Sequence, residues 1–147
     1  MVRVYNEAML AFDTTSFSIV LSVLLLLIRA IVAVTFFASS TNKLRDIKTS
    51  AKRNGMPVPV MRVVALAEFA GALGMITGVL GRFAALGLML LMLITISIHV
   101  FKWKTAYWAE KGGWEYDLML FALSGVVALL GSGILAIPFL NSSILIL

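Results

Sequence analysis

The stretch VLSVLLLLIRAIVAV, residues 20–34, decides the fold. Apolar and polar residues do not alternate along it, so it is not a strand of a membrane barrel, whose segments of about ten residues alternate with a period of two. Its apolar character runs over 17–40, enough for the roughly 20 residues a helix needs to cross the hydrocarbon core. Three further stretches have the same quality, 60–80, 83–101 and 118–140. The 147-residue chain is 61% hydrophobic and only 13% charged, and that charged share is about half of what a soluble domain carries. Water would not tolerate so much apolar surface on so short a chain, whereas a bilayer accepts it on every lipid-facing side. The expectation is an all-α integral membrane protein: one domain over 1–147, a four-helix bundle of antiparallel, up-down topology, preceded by an N-terminal extension at 1–16. The first span is too long for a secretory signal, holds Arg29 in its middle and lacks a small-x-small cleavage site, so it reads as a retained helix.

The connections carry the topology. Only GVLGRF separates the second and third spans, and Gly78 and Gly81 suit the left-handed backbone of a tight reversal. The first connection, 41–59, is polar and ends in NGMPVP, a turn-forming pair followed by two prolines. The third, 102–114, mixes lysines with Trp103, Tyr107, Trp108 and Trp114, the composition of a headgroup-level belt. These two connections carry Lys43, Arg45, Lys48, Lys52, Arg53, Lys102, Lys104 and Lys111, and Arg62 lies on the same side, making nine basic residues. Arg3 and Arg82 lie on the other side. The imbalance predicts a cell-membrane protein with 41–59 and 102–114 in the cytoplasm and both termini outside. The net charge of +5 is then a topology signal. It does not point to nucleic acid, because the basic residues are divided between two membrane-flanking loops; the lipid bilayer is the expected partner.

A charge inside an apolar span costs about 2.5 to 3.5 kcal/mol at the bilayer centre, so each one needs a partner or a purpose. Helical rise puts Arg29, Lys43, Glu68, His99 and Glu115 all in the cytoplasmic half, with Arg29 within reach of Glu68. Each residue also has a plain structural reading. Arg29 and Glu68 can be an ion pair that sets helix register. Lys43 can snorkel, His99 can be an ordinary hydrogen-bonded histidine, and Glu115 and Asp117 can serve the dipole of the fourth helix. Two residues apart, those carboxylates point about 200° from each other, so they are not a paired acid and base. Small residues suggest close packing: Ala70, Gly74 and Gly78 on one span, and Ser124, Ala128 and Ser132 on another. Gly71, one turn from Glu68, suggests room for a flat ligand beside the carboxylate.

With no cysteine, the chain cannot hold an iron-sulfur cluster by thiolates, attach haem through a Cys pair or form disulfides. One histidine cannot supply two haem ligands, and no glycine-rich loop follows a strand to cradle a nucleotide. No metal site and no covalently bound cofactor are expected. A redox role would use a diffusible carrier such as a quinone, whose carbonyls take donors from Arg29, Lys43 or His99 while Glu68 or Glu115 relays protons.

Arg29 with the downstream TNKL, then LAEFAGALGMITGVLGRFAALGL, ISIHVF and WEYDLMLFALSGVVALLGSG, resembles the DoxX family of small four-helix membrane proteins. The resemblance covers about 28–137, and its ordered polar residues fall on Arg29, Lys43, Glu68, His99 and Glu115. The sequence departs from the family pattern at Ser40, where glycine is common. It also lacks the usual Ser and Asp after Gly133, and it has the N-terminal extension and an apolar ILIL tail. The resemblance implies a redox role: relatives are linked to thiosulfate:quinone oxidoreduction in archaea and to membrane-associated oxidoreductase complexes in bacteria. The expected function is a small membrane subunit of a quinone-linked redox complex, with a quinone or proton site formed by the five residues. The alternative is a non-catalytic accessory or assembly subunit of a larger membrane complex. A solute or proton carrier is disfavoured by the lack of a broken helix or a long inverted repeat.

Overall fold

The computed structural model describes residues 2–109 and 113–133, with side chains from residue 16 onward. Among the described residues five helices form: α1 (Val2–Arg45), α2 (Ile47–Arg53), α3 (Val58–Thr77), α4 (Gly81–Ser97) and α5 (Glu115–Leu130), and α4 continues into a π-helical turn at Ile98–Trp103. There is no strand among the described residues. Ser16–Arg45, Val58–Thr77 and Gly81–Trp103 are each long and apolar enough to cross a membrane. The fourth expected span, 118–140, is represented by the 16-residue α5; positions 134–140 lie outside the described residues.

Several boundaries differ from the sequence expectation. The extension at 1–16 is not separate from the first helix, because α1 already begins at Val2. The first connection is shorter than 41–59 and is itself partly helical, because α1 runs on to Arg45 and Asp46 starts α2. The Asp46 carboxylate accepts the Thr49 N–H at 3.1 Å, satisfying one of the free donors of a helix start. These hydrogen bonds hold the Asp46 carboxyl below its usual range. α2 stops at Asn54 and Gly55, and Pro57 caps the start of α3.

The reversal between α3 and α4 is as tight as expected. Gly78 adopts φ +75° and donates to Gly74 O at 3.0 Å, closing α3. The second left-handed residue is Leu80, at φ +51°, not Gly81. Close approach behind the turn depends on missing side chains, since a Cβ on Gly74 would lie 2.6 Å from Ala84 Cβ. Ala70, expected in the same row, is exposed.

α1 packs on α3, α3 on α4, α4 on α5 and α5 on α1. The core between them holds Val32, Phe36, Met75, Leu88, Leu120 and Val127. The outer surface inverts the pattern of a water-soluble protein: Leu129 is 81% exposed and Leu90 60%, while Arg29 is 1% and Glu68 2% exposed. Apolar side chains outside and charges inside suit a hydrocarbon solvent, where burial of polar groups among helices is the favourable option.

Candidate functional site

The five polar residues do not form one cluster. Arg29 is held apart from Glu68, contrary to the reach argument. Its Nε donates to Met75 O at 2.8 Å, Nη2 to Ile76 O at 3.1 Å and Nη1 to Ser132 O at 2.8 Å. The first two acceptors are carbonyls in the last turn of α3, which have no partner within their own helix. Helical side chains lean toward their own N-terminus, so the Arg29 side chain extends away from Lys43 and toward the Gly78 turn. Met75 is seven residues beyond Glu68, about 10 Å along α3 by helical rise. A further contact, from Ser132 Oγ to Gly78 O at 3.2 Å, closes the same end.

The same lean brings Lys43 inward to Glu68. Lys43 Nζ pairs with Glu68 Oε1, while the buried Oε2 has no hydrogen-bond partner. Both side chains line a cavity of about 510 Å³. Thr35 and Ser39 from α1, Thr95 from α4 and Asp117 and Tyr116 from α5 complete its polar wall; Val34, Phe36, Ala38, Met92 and Leu120 form the apolar one. Gly71 opens no room beside the carboxylate, because a Cβ there would lie 2.5 Å from Leu88 Cδ2: Leu88 occupies that space.

The carboxylate of α5 that faces the cavity is Asp117, not Glu115. Glu115 begins the helix where the chain returns from the aromatic connection, its N–H bonded to Tyr107 O at 3.2 Å. Its carboxylate tucks beside Gly113, and Oε2 is buried without a partner. Two residues on, Asp117 has turned to the opposite side of the helix, as the 200° separation requires. His99 lies behind Asp117, not on the cavity wall. Its Nε2 is 3.5 Å from Asp117 Oδ2 and its Nδ1 is 2.8 Å from Thr105 Oγ1. Trp103 meets the imidazole edge-on with ring centres 4.6 Å apart. The π-helical turn widens the helix here and sets both rings, a distortion that is frequent at functional sites.

Both polar connections meet at this end, where Lys102 Nζ donates to Gly55 O at 2.9 Å. Lys111 lies outside the described residues. No group of three potential metal-ligating side chains occurs among the described residues.

A family model described as DoxX matches residues 24–102 of the 147. That span contains Arg29, Lys43, Glu68 and His99 and stops before α5. No curated protein and no solved structure matches the chain.

Proposed function

The chain belongs to the DoxX family, and from that membership we propose that it is a small multi-pass subunit of a quinone-linked redox complex, with α1, α3, α4 and α5 as an antiparallel, up-down bundle. One observation carries the reading: the Lys43–Glu68 pair lines a cavity and leaves a buried carboxylate oxygen unpartnered. An orphaned oxygen of that kind is costly unless a ligand or proton serves it. The volume lies within the range of small-molecule sites, about 300 to 1,000 Å³, and the walls combine an apolar side with a few polar groups, the usual composition of such sites.

A quinone, when bound, supplies two-electron redox chemistry coupled to proton uptake. The residues fit such a group. Lys43 gives one ammonium N–H to Glu68 and keeps two for another acceptor. Phe36, Met92 and Leu120 offer an apolar surface to a flat ring, and Glu68 and Asp117 can hold a proton beside it. Arg29 contributes by locking α1 to the ends of α3 and α5, and His99 acts through Asp117. Lys43, Arg45, Lys48, Lys52, Arg53, Lys102 and Lys104 mark the cytoplasmic side, with both termini outside the cell. Anionic lipid and other oxidoreductase subunits are the partners of this reading.

Extraction of lipid from the detergent-purified protein tests it. Stoichiometric quinone that is lost in Lys43→Met and Glu68→Gln, with helicity retained, supports the site; wild-type protein free of quinone when prepared from quinone-rich membranes overturns it.

Arg29 favours a second reading, a non-catalytic accessory subunit. Its buried charge serves three backbone carbonyls and no cavity. If unchanged assembly and turnover of an associated complex accompany loss of the Lys43–Glu68 pair, the accessory reading stands.

A further inference from the structure

Asp117 lines the cavity and His99 does not, yet the two side chains meet. They are similarly shielded, at 16% and 15% exposure. The pair therefore bridges the cavity and the lysine-bearing end of the protein. Thr105 decides how the imidazole faces Asp117. The Thr105 Oγ1 lies 3.4 Å from the His99 carbonyl oxygen and 2.8 Å from Nδ1; a hydroxyl that donates to the carbonyl leaves its oxygen to accept from Nδ1–H. Neutral His99 then carries its proton on Nδ1 and turns a bare Nε2 lone pair toward the Asp117 carboxylate. Two acceptors facing each other at 3.5 Å repel unless a proton lies between them.

We propose that His99 and Asp117 share one proton and form the entry through which protons pass between the polar end of the protein and the cavity. This deepens the cavity reading and rests on it for the destination of the proton. In the step itself, Nε2 takes a proton from a hydronium ion, releasing water and giving an imidazolium beside the Asp117 carboxylate. Transfer of that proton to Oδ2 leaves a neutral imidazole and a neutral carboxylic acid at the cavity wall. The acid releases the proton to a basic oxygen in the cavity, and the carboxylate is restored. Lys43 from α1, Glu68 from α3 and Glu115 from α5 act electrostatically on the same carboxylate; all three are unchanged in the variants below.

His99 is the chain's sole histidine, so protein labelled with 15N-histidine in lipid nanodiscs gives one interpretable imidazole spectrum. The neutral ring should favour the Nδ1–H tautomer by about fivefold, the worth of one net hydrogen bond. Thr105→Val should remove that preference, and Asp117→Asn should shift the Nε2 resonance. In the infrared, the carboxylic-acid band lost in Asp117→Asn should change with pH in step with the Nε2 signal. A dominant Nε2–H tautomer in the wild type, or independent titration of the two groups, overturns the proposal. Quinone content measured on the same samples separates the two ideas: coupled titration without quinone removes the cavity reading alone, whereas quinone with uncoupled titration removes the proton entry alone.

Discussion

Lys43 and Glu68 meet through a single carboxylate oxygen, and the other oxygen stays buried and unpartnered at the cavity wall. This asymmetry makes the pair sensitive to removal of either half. Lys43→Met leaves a buried, uncompensated anion and should destabilise the protein by about 3 kcal/mol. The double variant Lys43→Met, Glu68→Leu should regain wild-type stability, because an apolar pair of similar volume has no desolvation to offset. Helicity followed during denaturant titration in micelles checks both.

Arg29 and Glu68 should behave as strangers. The guanidinium is bonded to Met75, Ile76 and Ser132, a level removed from the carboxylate. In a double-mutant cycle with Arg29→Met and Glu68→Gln, the coupling energy should fall within about 0.5 kcal/mol of zero. Arg29→Lys should not rescue, since a point charge cannot span three carbonyls and each unpaired one costs about 1 to 3 kcal/mol. A coupling of several kcal/mol would restore the ion pair that helical rise alone suggested.

Gly74→Ala should destabilise by about 1 to 3 kcal/mol, the usual cost of overpacking. The new methyl would meet Ala84 Cβ, which has no torsion by which to retreat. Ala84→Gly should recover most of the loss. Gly71→Ala should be milder, because its neighbour is the end of the Leu88 side chain. Thermal midpoints of the four proteins rank these effects.

Leu80→Gly should be slightly stabilising. Leu80 sits at φ +51° with a half-exposed side chain, a conformation that costs a non-glycine residue about 1 to 2 kcal/mol. Glycine relieves this but adds about 0.4 to 1 kcal/mol of unfolded-chain entropy, so the net gain is about half a kcal/mol. The reverse change at Gly78, from glycine at φ +75° to alanine, is destabilising. Equilibrium unfolding in detergent measures both.

The helices were legible because apolar run length measures the solvent directly: residues 20–34 need nothing but their composition to be read as membrane helix. The Gly78 reversal was legible for a similar reason, since few residues other than glycine tolerate a left-handed backbone. Arg29 was not, because its acceptors are main-chain carbonyls and every residue type carries one. The choice between Glu115 and Asp117 depends on the rotation of α5, where a shift of one residue in the helix start turns each side chain by about 100°. His99 was singled out, but Thr105 was not. It reaches the imidazole only because the π-helical turn and the left-handed Lys104 fold the chain back there, and neither has a clear signature in local composition.

The guanidinium of Arg29 also ties the molecule to the order of its own synthesis. Two of its acceptors arrive with the α3 residues Met75 and Ile76, but Ser132 emerges from the ribosome only after α5. Since chains are made N-terminus first, a nascent protein holding only its first two spans carries an unmet N–H donor into lipid, where such groups are poorly tolerated. Arrival of α5 and Ser132 quenches it, so this donor is satisfied only once α5 has joined the bundle.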